Sequence, residues 1–221
     1  MANVMLTYKT PLCGLSWANI SGQGKLKFDP EGKLDKNDAS SYIYTITGTV
    51  TAEQAEEMNK VFNKFWRENK PAGVTKQKYD LVKKELVPDL DKDGKEQKDE
   101  DDAVIMKHTG RYTVVAKTNT QWPSGDANVV KVMRANTQPL KLGKKVIGIG
   151  STGVIHGQLG ISAFKGNEGL AFYLTAVQLK KFVEYVGGGA VDSEDLGEDE
   201  GMDGLDLDDA EDISQSDGPA V

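Results

Sequence analysis

The sequence predicts a mainly β domain with two or three helices, closed as a small barrel or sandwich and followed by a disordered acidic tail. Three observations carry this expectation. At least six short runs rich in β-branched and aromatic residues are separated by Gly-containing breaks, which favours all-β closure over an alternating βαβ fold. Two stretches open with the residues of a capping box and continue at helical spacing. Beyond residue 190 the chain turns to carboxylates, Gly and scattered apolar residues, a composition that cannot bury enough surface to fold alone.

Taken in order, residues 41–47 (SYIYTIT) read as a strand because β-branched and aromatic side chains fit a pleated, half-buried surface. Thr51 and Gln54 then form a capping box, in which each side chain satisfies a backbone donor at a helix start. Ala55, Met58, Phe62 and Phe65 line one face of that helix, and Pro71 bounds it. A second helix is expected over 75–86, stopping before Pro88. Strands follow at 112–116, 128–132, 145–149, 154–164 and 170–174, with Tyr42, Tyr44, Phe62, Phe65 and Trp66 assigned to packing. A third helix is expected from Thr175, where Gln178 completes another capping box. Leu179, Phe182, Val183 and Val186 would form its buried stripe, and Gly187 to Gly189 its end. The ordered domain is therefore placed at 1–190 and the tail at 191–221.

Charge divides at the same boundary. The 221 residues carry 34 Asp+Glu, 27 Lys+Arg and a net charge of −7, which as an average argues against a polyanion partner. Residues 191–221 alone hold thirteen carboxylates and no Lys or Arg, leaving +6 on residues 1–190. Residues 89–102 hold a further eight carboxylates and three lysines, so the rest of the body stands at +11. A coil as long as the tail spans roughly 30 Å root-mean-square, against a body whose radius of gyration is about 16 Å. The tail can thus reach back across its own domain.

Several motifs are tempting. Asp89, Asp91, Asp93, Gly94 and Glu100 match the oxygen spacing of a calcium loop. Glu96 stands where such loops put an aliphatic residue, and a strand-like run follows at 103–108, so we read 89–102 as a solvated acidic loop. Gly148, Gly150 and Gly153 match a dinucleotide fingerprint, but residues 154–157 are strand-like where a helix is required. These glycines are better used to bend strands around a barrel. His108, His156 and Cys13 offer no metal-ligand spacing, and neither a nucleophile elbow nor a P-loop is present. We expect no enzyme, no cofactor and no metal. The single cysteine excludes an internal disulfide and fits a reducing compartment. No apolar run reaches the ~20 residues of a membrane span, and the first ten residues lack the features of a secretory signal.

Aromatic residues beside cations remain. Arg111, Tyr112, Lys117, Trp122, Lys131, Arg134, Phe164, Lys165 and Tyr173 fall on or beside the expected strands. Single strands of nucleic acid are held by this combination, aromatic faces stacking bases and cations following phosphates. Alternation along 169–174 turns Leu170, Phe172 and Leu174 inward and Tyr173 outward. A non-enzymatic protein-interaction module, working through its acidic loop and tail, is the alternative.

The runs 14–20 (GLSWANI), 93–112 and 157–178 (GQLGISAFKGNEGLAFYLTAVQ) resemble a family of phage single-stranded DNA-binding proteins, the Enc34 type, similar in design to the T7 type. The resemblance spans about residues 10–186. It implies an OB-fold-like antiparallel barrel, sequence-independent coating of single-stranded DNA in phage replication or recombination, and work in the cytoplasm of an infected bacterial host. It also implies that the acidic tail (Asp206, Asp208, Asp209, Glu211 and Asp212), which by its charge and reach would compete with DNA for the basic body, recruits replication proteins such as a polymerase or helicase. Tails in the T7-type and bacterial proteins usually end in an aromatic residue, whereas this chain ends GPAV. Exposed edges of small barrels also favour a homo-oligomer.

Overall fold

The computed structural model describes residues 4–143, 145–164 and 167–185, with the backbone alone at 163, 164 and 167. The tail expected at 191–221, with its five named carboxylates, and Lys165 lie outside the described residues.

Among the described residues nine strands and one α-helix follow in the order β1 (Met5–Lys9), β2 (Cys13–Asn19), β3 (Lys25–Leu26), β4 (Tyr42–Val50), α1 (Ala52–Asn69), β5 (Val82–Pro88), β6 (Met106–Asn119), β7 (Lys131–Met133), β8 (Thr152–Phe164) and β9 (Asn167–Lys181). Five of them close a ring. β2 pairs with β4, β4 with β6, β6 with β9, β9 with β8, and β8 back with β2. All these pairings are antiparallel except β6 to β9, a single parallel register of Lys117 with Tyr173. Numbered around the chain, this is the OB-fold barrel, with β4 and β6 as its second and third strands. β1 extends β8, β3 pairs with β4, β5 with β6, and β7 with β9.

Alternation fills the barrel. Leu15, Ile46, Val114, Ile155, Leu159, Phe172, Val177 and Leu179 are all buried inside it. Glycine serves closure at two points where strands meet tightly. A Cβ on Gly153 would lie 2.5 Å from the Gln178 carbonyl oxygen, and one on Gly157 would lie 2.4 Å from that of Tyr173. The helix packs against this core through Ala55, Met58, Phe62, Phe65 and Trp66, opened by the Thr51–Gln54 capping box. Phe62 meets Tyr8 edge-on at 5.0 Å, and Tyr8 meets Phe172 at 5.9 Å, so helix, β1 and barrel share one aromatic cluster. Burying each such ring contributes about 1.5–3 kcal/mol. Burial also pushes the Cys13 thiol up to about 11, leaving it protonated.

Three expected elements are corrected. Residues 75–81 form an irregular, bent segment and 82–88 form β5, in place of a second helix. Val82 is buried opposite Val114, and sheet pairing with β6 overrides the helical spacing of the segment. The third helix is instead the end of β9, held between β8 and β7. Its capping-box glutamine donates to the Ala135 carbonyl at 2.7 Å. Residues 145–149 are not a strand; only Ile147 makes a bridge, with Glu184. One α-helix, not two or three, therefore lies among the described residues, beside a 3-10 turn at Ala39–Ser41.

Candidate nucleic-acid interface

The outer surface of the second and third barrel strands is built from the residues that alternate with the core. Register places Thr45 beside Lys117, Thr47 beside Val115 and Thr49 beside Thr113, all on the outside. β2 adds Ser16 opposite Thr47 and Asn19 opposite Thr45, with a bulge between them. Trp17 sits in that bulge at φ 50° and is 75% exposed. A β-bulge re-aims side chains, and here it sets a large ring on the outside of a barrel wall whose inward neighbours are Leu15 and Ala18.

Beyond Lys117 the outer face opens into a groove of about 640 Å³, lined by Phe28, Tyr79, Leu81, Lys83, Thr113, Val115, Lys117, Ser162 and Ala171, among others. Phe28 is 92% exposed and stands on the connection between β2 and β4. Its loop is ordered by Asp29, whose carboxylate accepts the Leu34 N–H at 2.6 Å. That bond, with further backbone donors at Lys33, Glu31 and Gly32, outweighs desolvation and holds the Asp29 carboxyl below its usual range. Tyr79 is 58% exposed across the groove, with the Lys78 and Lys83 ammonium groups 5.6 and 6.0 Å from its ring centroid. The Lys78 N–H donates to the Glu168 carbonyl at 3.0 Å, tying the 75–81 segment across the start of β9.

The structure distributes the sequence-derived candidates over several surfaces. Lys117 lines the groove, and Tyr173 is its cross-strand partner on β9, half-buried. Arg111 points outward but is held by Glu85, its Nε 2.8 Å from the carboxylate. Tyr112 turns toward the core and meets His108 edge-on at 5.2 Å. Trp122 is exposed at the start of a tight turn, its N–H donating to the Asp126 carbonyl. Lys131 is exposed on β7, and Arg134 is buried. The side chain of Phe164 lies outside the described residues.

Phe28, Tyr79, Lys83 and Trp17 are the groups that sequence reasoning missed. Phe28 stands among Lys, Asp, Pro and Gly, with Leu26 alone beside it at strand spacing and no apolar neighbour at helix spacing. Tyr79 is a lone aromatic between two lysine pairs. Such isolation was the available signal.

The calcium-loop match resolves into turns. Asp91 accepts the N–H groups of Asp93 and Lys95 at 2.8 and 2.9 Å, and Asp99 accepts those of Asp101 and Ala103 at 2.9 Å. Two carboxylates are thereby engaged with backbone, and no group of three or more His, Cys, Asp or Glu able to hold a metal gathers among the described residues.

No protein-family model and no curated protein sequence matches the chain. Its fold is shared by solved structures, among them two phage proteins. One is gp2.5, a single-stranded DNA-binding protein encoded by bacteriophage T7, at 15% identity over 90% of this chain and 98% of that one, with a TM-score of 0.50. The other is the single-stranded DNA-binding protein from bacteriophage Enc34 in complex with ssDNA, at 14% identity over 82% of this chain and 89% of that one, with a TM-score of 0.51.

Proposed function

We propose that this chain binds single-stranded DNA without sequence preference, along the outer face of β2, β4 and β6 and into the groove beside it. The observation that carries the reading is the groove itself, where two exposed rings, Phe28 and Tyr79, converge with Lys83 and Lys117. Oligonucleotides are bound by OB-folds on this strand 2–3 face and its adjoining loops. Stacked rings tolerate any base because every base has a π-face, and lysines follow the backbone. The likeness of fold to two phage single-stranded DNA-binding proteins supports the same reading. Lys117 and Tyr173 extend the path toward β9, with Trp122, Lys131, Phe164 and Lys165 as outlying contacts.

The finer reading is a coating protein of phage replication or recombination, acting in the host cytoplasm through a domain at 1–190. Its tail, 191–221, would compete with DNA for the basic body and recruit a polymerase or helicase.

Fluorescence anisotropy with labelled oligo(dT) and a duplex control tests the function. Micromolar or tighter binding to oligo(dT), weaker to duplex, is expected, with a log–log salt slope of about −0.7 per phosphate neutralised. No binding to oligo(dT) at low salt would sink the proposal. Removing 191–221 should tighten binding; unchanged affinity would remove the competition model alone.

A further inference from the structure

We infer that single-stranded DNA bound in the groove continues onto the C-terminal half of α1, which holds its phosphates without stacking its bases. The inference rests on the binding proposed above and extends it to a surface outside the barrel. Residues 60–84 hold eight Lys or Arg against two carboxylates. The rest of residues 1–190 holds nineteen of each, so the whole surplus of six positive charges on the body lies in this one segment. A concentrated patch of one sign steers and holds a polyanion.

The helix is polarised along its length. Glu53, Glu56 and Glu57 stand in its first half, and Lys60, Lys64 and Arg67 in its second. Spacings of four and three put these three cations on one face, about 6 and about 4.5 Å apart along the axis. Glu56 holds Lys60 at 2.9 Å, and Arg67 donates its Nε to the Asn63 carbonyl at 3.3 Å. Lys64 and Lys76 make no ion pair among the described residues. A cation in the last turn complements the helix macrodipole, which accounts for Arg67 but not for Lys76, Lys78, Lys83 and Lys84 beyond the helix end. Phe62, Phe65 and Trp66 are buried beneath, so this face offers charge without a ring.

The 70–81 segment joins this face to the groove. Lys70 Nζ donates to the Val74 carbonyl at 2.7 Å, bracing the turn that follows the helix. Val74 and Leu81 pack on the core, and Leu81 is also a wall of the groove. Lys76 and Lys78 are exposed between them, Lys78 with its ammonium 5.6 Å from the Tyr79 ring centroid. Cations thus run from Lys83 through Lys78 and Lys76 to Arg67 and Lys64. The carboxylates of the first half of α1 repel a polyanion, so the path ends near Lys60.

Fluorescence anisotropy on the full chain at about 0.1 M salt tests the inference. It uses oligo(dT) of about six and about sixteen nucleotides, within the range of about 4–16 that one OB-fold covers. Lys64→Glu with Arg67→Glu should weaken binding of the longer strand about tenfold. The same change should make its log–log salt slope shallower by about 1.4, for two phosphate contacts at about 0.7 each. Binding of the shorter strand should change less than about twofold, because screening acts over about 10 Å at that salt. Both positions are exposed, so the thermal melt should not move. Unchanged affinity for the longer strand, or equal losses for both, overturns the path over the helix and leaves the groove proposal standing. Tighter binding of the shorter strand assigns the patch to the acidic tail and overturns the path too. A wild type that binds neither strand sinks the groove proposal along with it.

Discussion

Strand β6 carries two surfaces of opposite design. Its second half, with β4, presents Lys117 and Val115 beside threonines and borders the groove of Phe28 and Tyr79. Its first half pairs with β5 as an arm that exposes Leu86, Val87 and Met106 and ends in the carboxylate-rich 89–102 segment. Both expose apolar groups, yet they differ in spacing and sign of charge. Rings isolated among lysines suit a flexible polyanion whose bases insert one at a time. Exposed aliphatics edged by anions suit a shaped and partly basic protein surface. Exposure alone does not distinguish such partners; spacing and charge do.

The largest expected effect comes from reversing charge on one surface only. Lys83→Glu with Lys117→Glu should lower oligo(dT) affinity about a hundredfold or more at low salt, because two phosphate contacts become repulsions. Lys92→Glu with Lys95→Glu on the arm carries the same charge change and should alter affinity about twofold at most at about 0.1 M salt, where screening acts over about 10 Å, since both positions lie past the end of β5. Equal losses in the two variants, measured by anisotropy, would erase the distinction between the surfaces.

Removing one ring is the next test. Phe28→Ala and Tyr79→Ala should each cost about 1–3 kcal/mol of binding, the range for one stacked base. Neither should shift the thermal melt, because Phe28 is 92% exposed and Tyr79 lines an open groove. Trp122→Ala, outside the groove, should cost less. A larger loss for Trp122 than for Phe28 would move the path of the strand toward the 121–127 turn.

These tests use residues of unequal legibility. α1 was readable because Ala55, Met58, Phe62 and Phe65 hold one period and Thr51–Gln54 fixes the start locally. β9 was misread because Leu179, Phe182, Val183 and Val186 fit a helical stripe, while Val177 and Leu179 equally fit the alternation of a strand. Only pairing with β8 and β7, fixed by barrel closure, decides between them. The inward phase of Leu170, Phe172 and Leu174 was legible because alternation is local. The groove was not, since Phe28, Tyr79 and Lys83 converge only once the ring of strands has closed. Trp17 was visible as part of a motif, but its exposure depends on a bulge that no local signal specified.

On the arm, Asp91→Ala and Asp99→Ala should each loosen a turn by about 1 kcal/mol, the worth of a lost side chain–backbone cap. Hydrogen exchange should quicken at the amides of Asp93, Lys95, Asp101 and Ala103, which those carboxylates accept. Oligo(dT) affinity should stay unchanged. Exchange that quickens equally on β4 would mean that the arm and barrel open as one unit.

The smallest effect lies at the junction. Gly110, at φ 84°, and the register shift between Lys84 and Leu86 mark where arm and barrel meet. Glu85 joins them, accepting Thr109 Oγ1 at 2.7 Å and Arg111 Nε at 2.8 Å. Burial raises its carboxyl, but those hydrogen bonds, the Arg111 charge and Thr49 outweigh it and hold the group below its ordinary 4.5. Because the folded value is depressed, the unfolded chain takes up the proton first. The stabilisation is complete above the ordinary value and is lost as pH falls through the folded one. Protection of the Glu85 and Thr109 amides, the exchange rate taken relative to that of an unstructured amide at the same pH, should therefore fall on acidification from about pH 6 to about pH 3.5, the span in which such a carboxylate titrates. Glu85→Gln should exchange faster at pH 6 and show a flatter pH response at these two amides. An identical response in Glu85→Gln would assign the acid sensitivity to other carboxylates and leave the junction to backbone geometry alone.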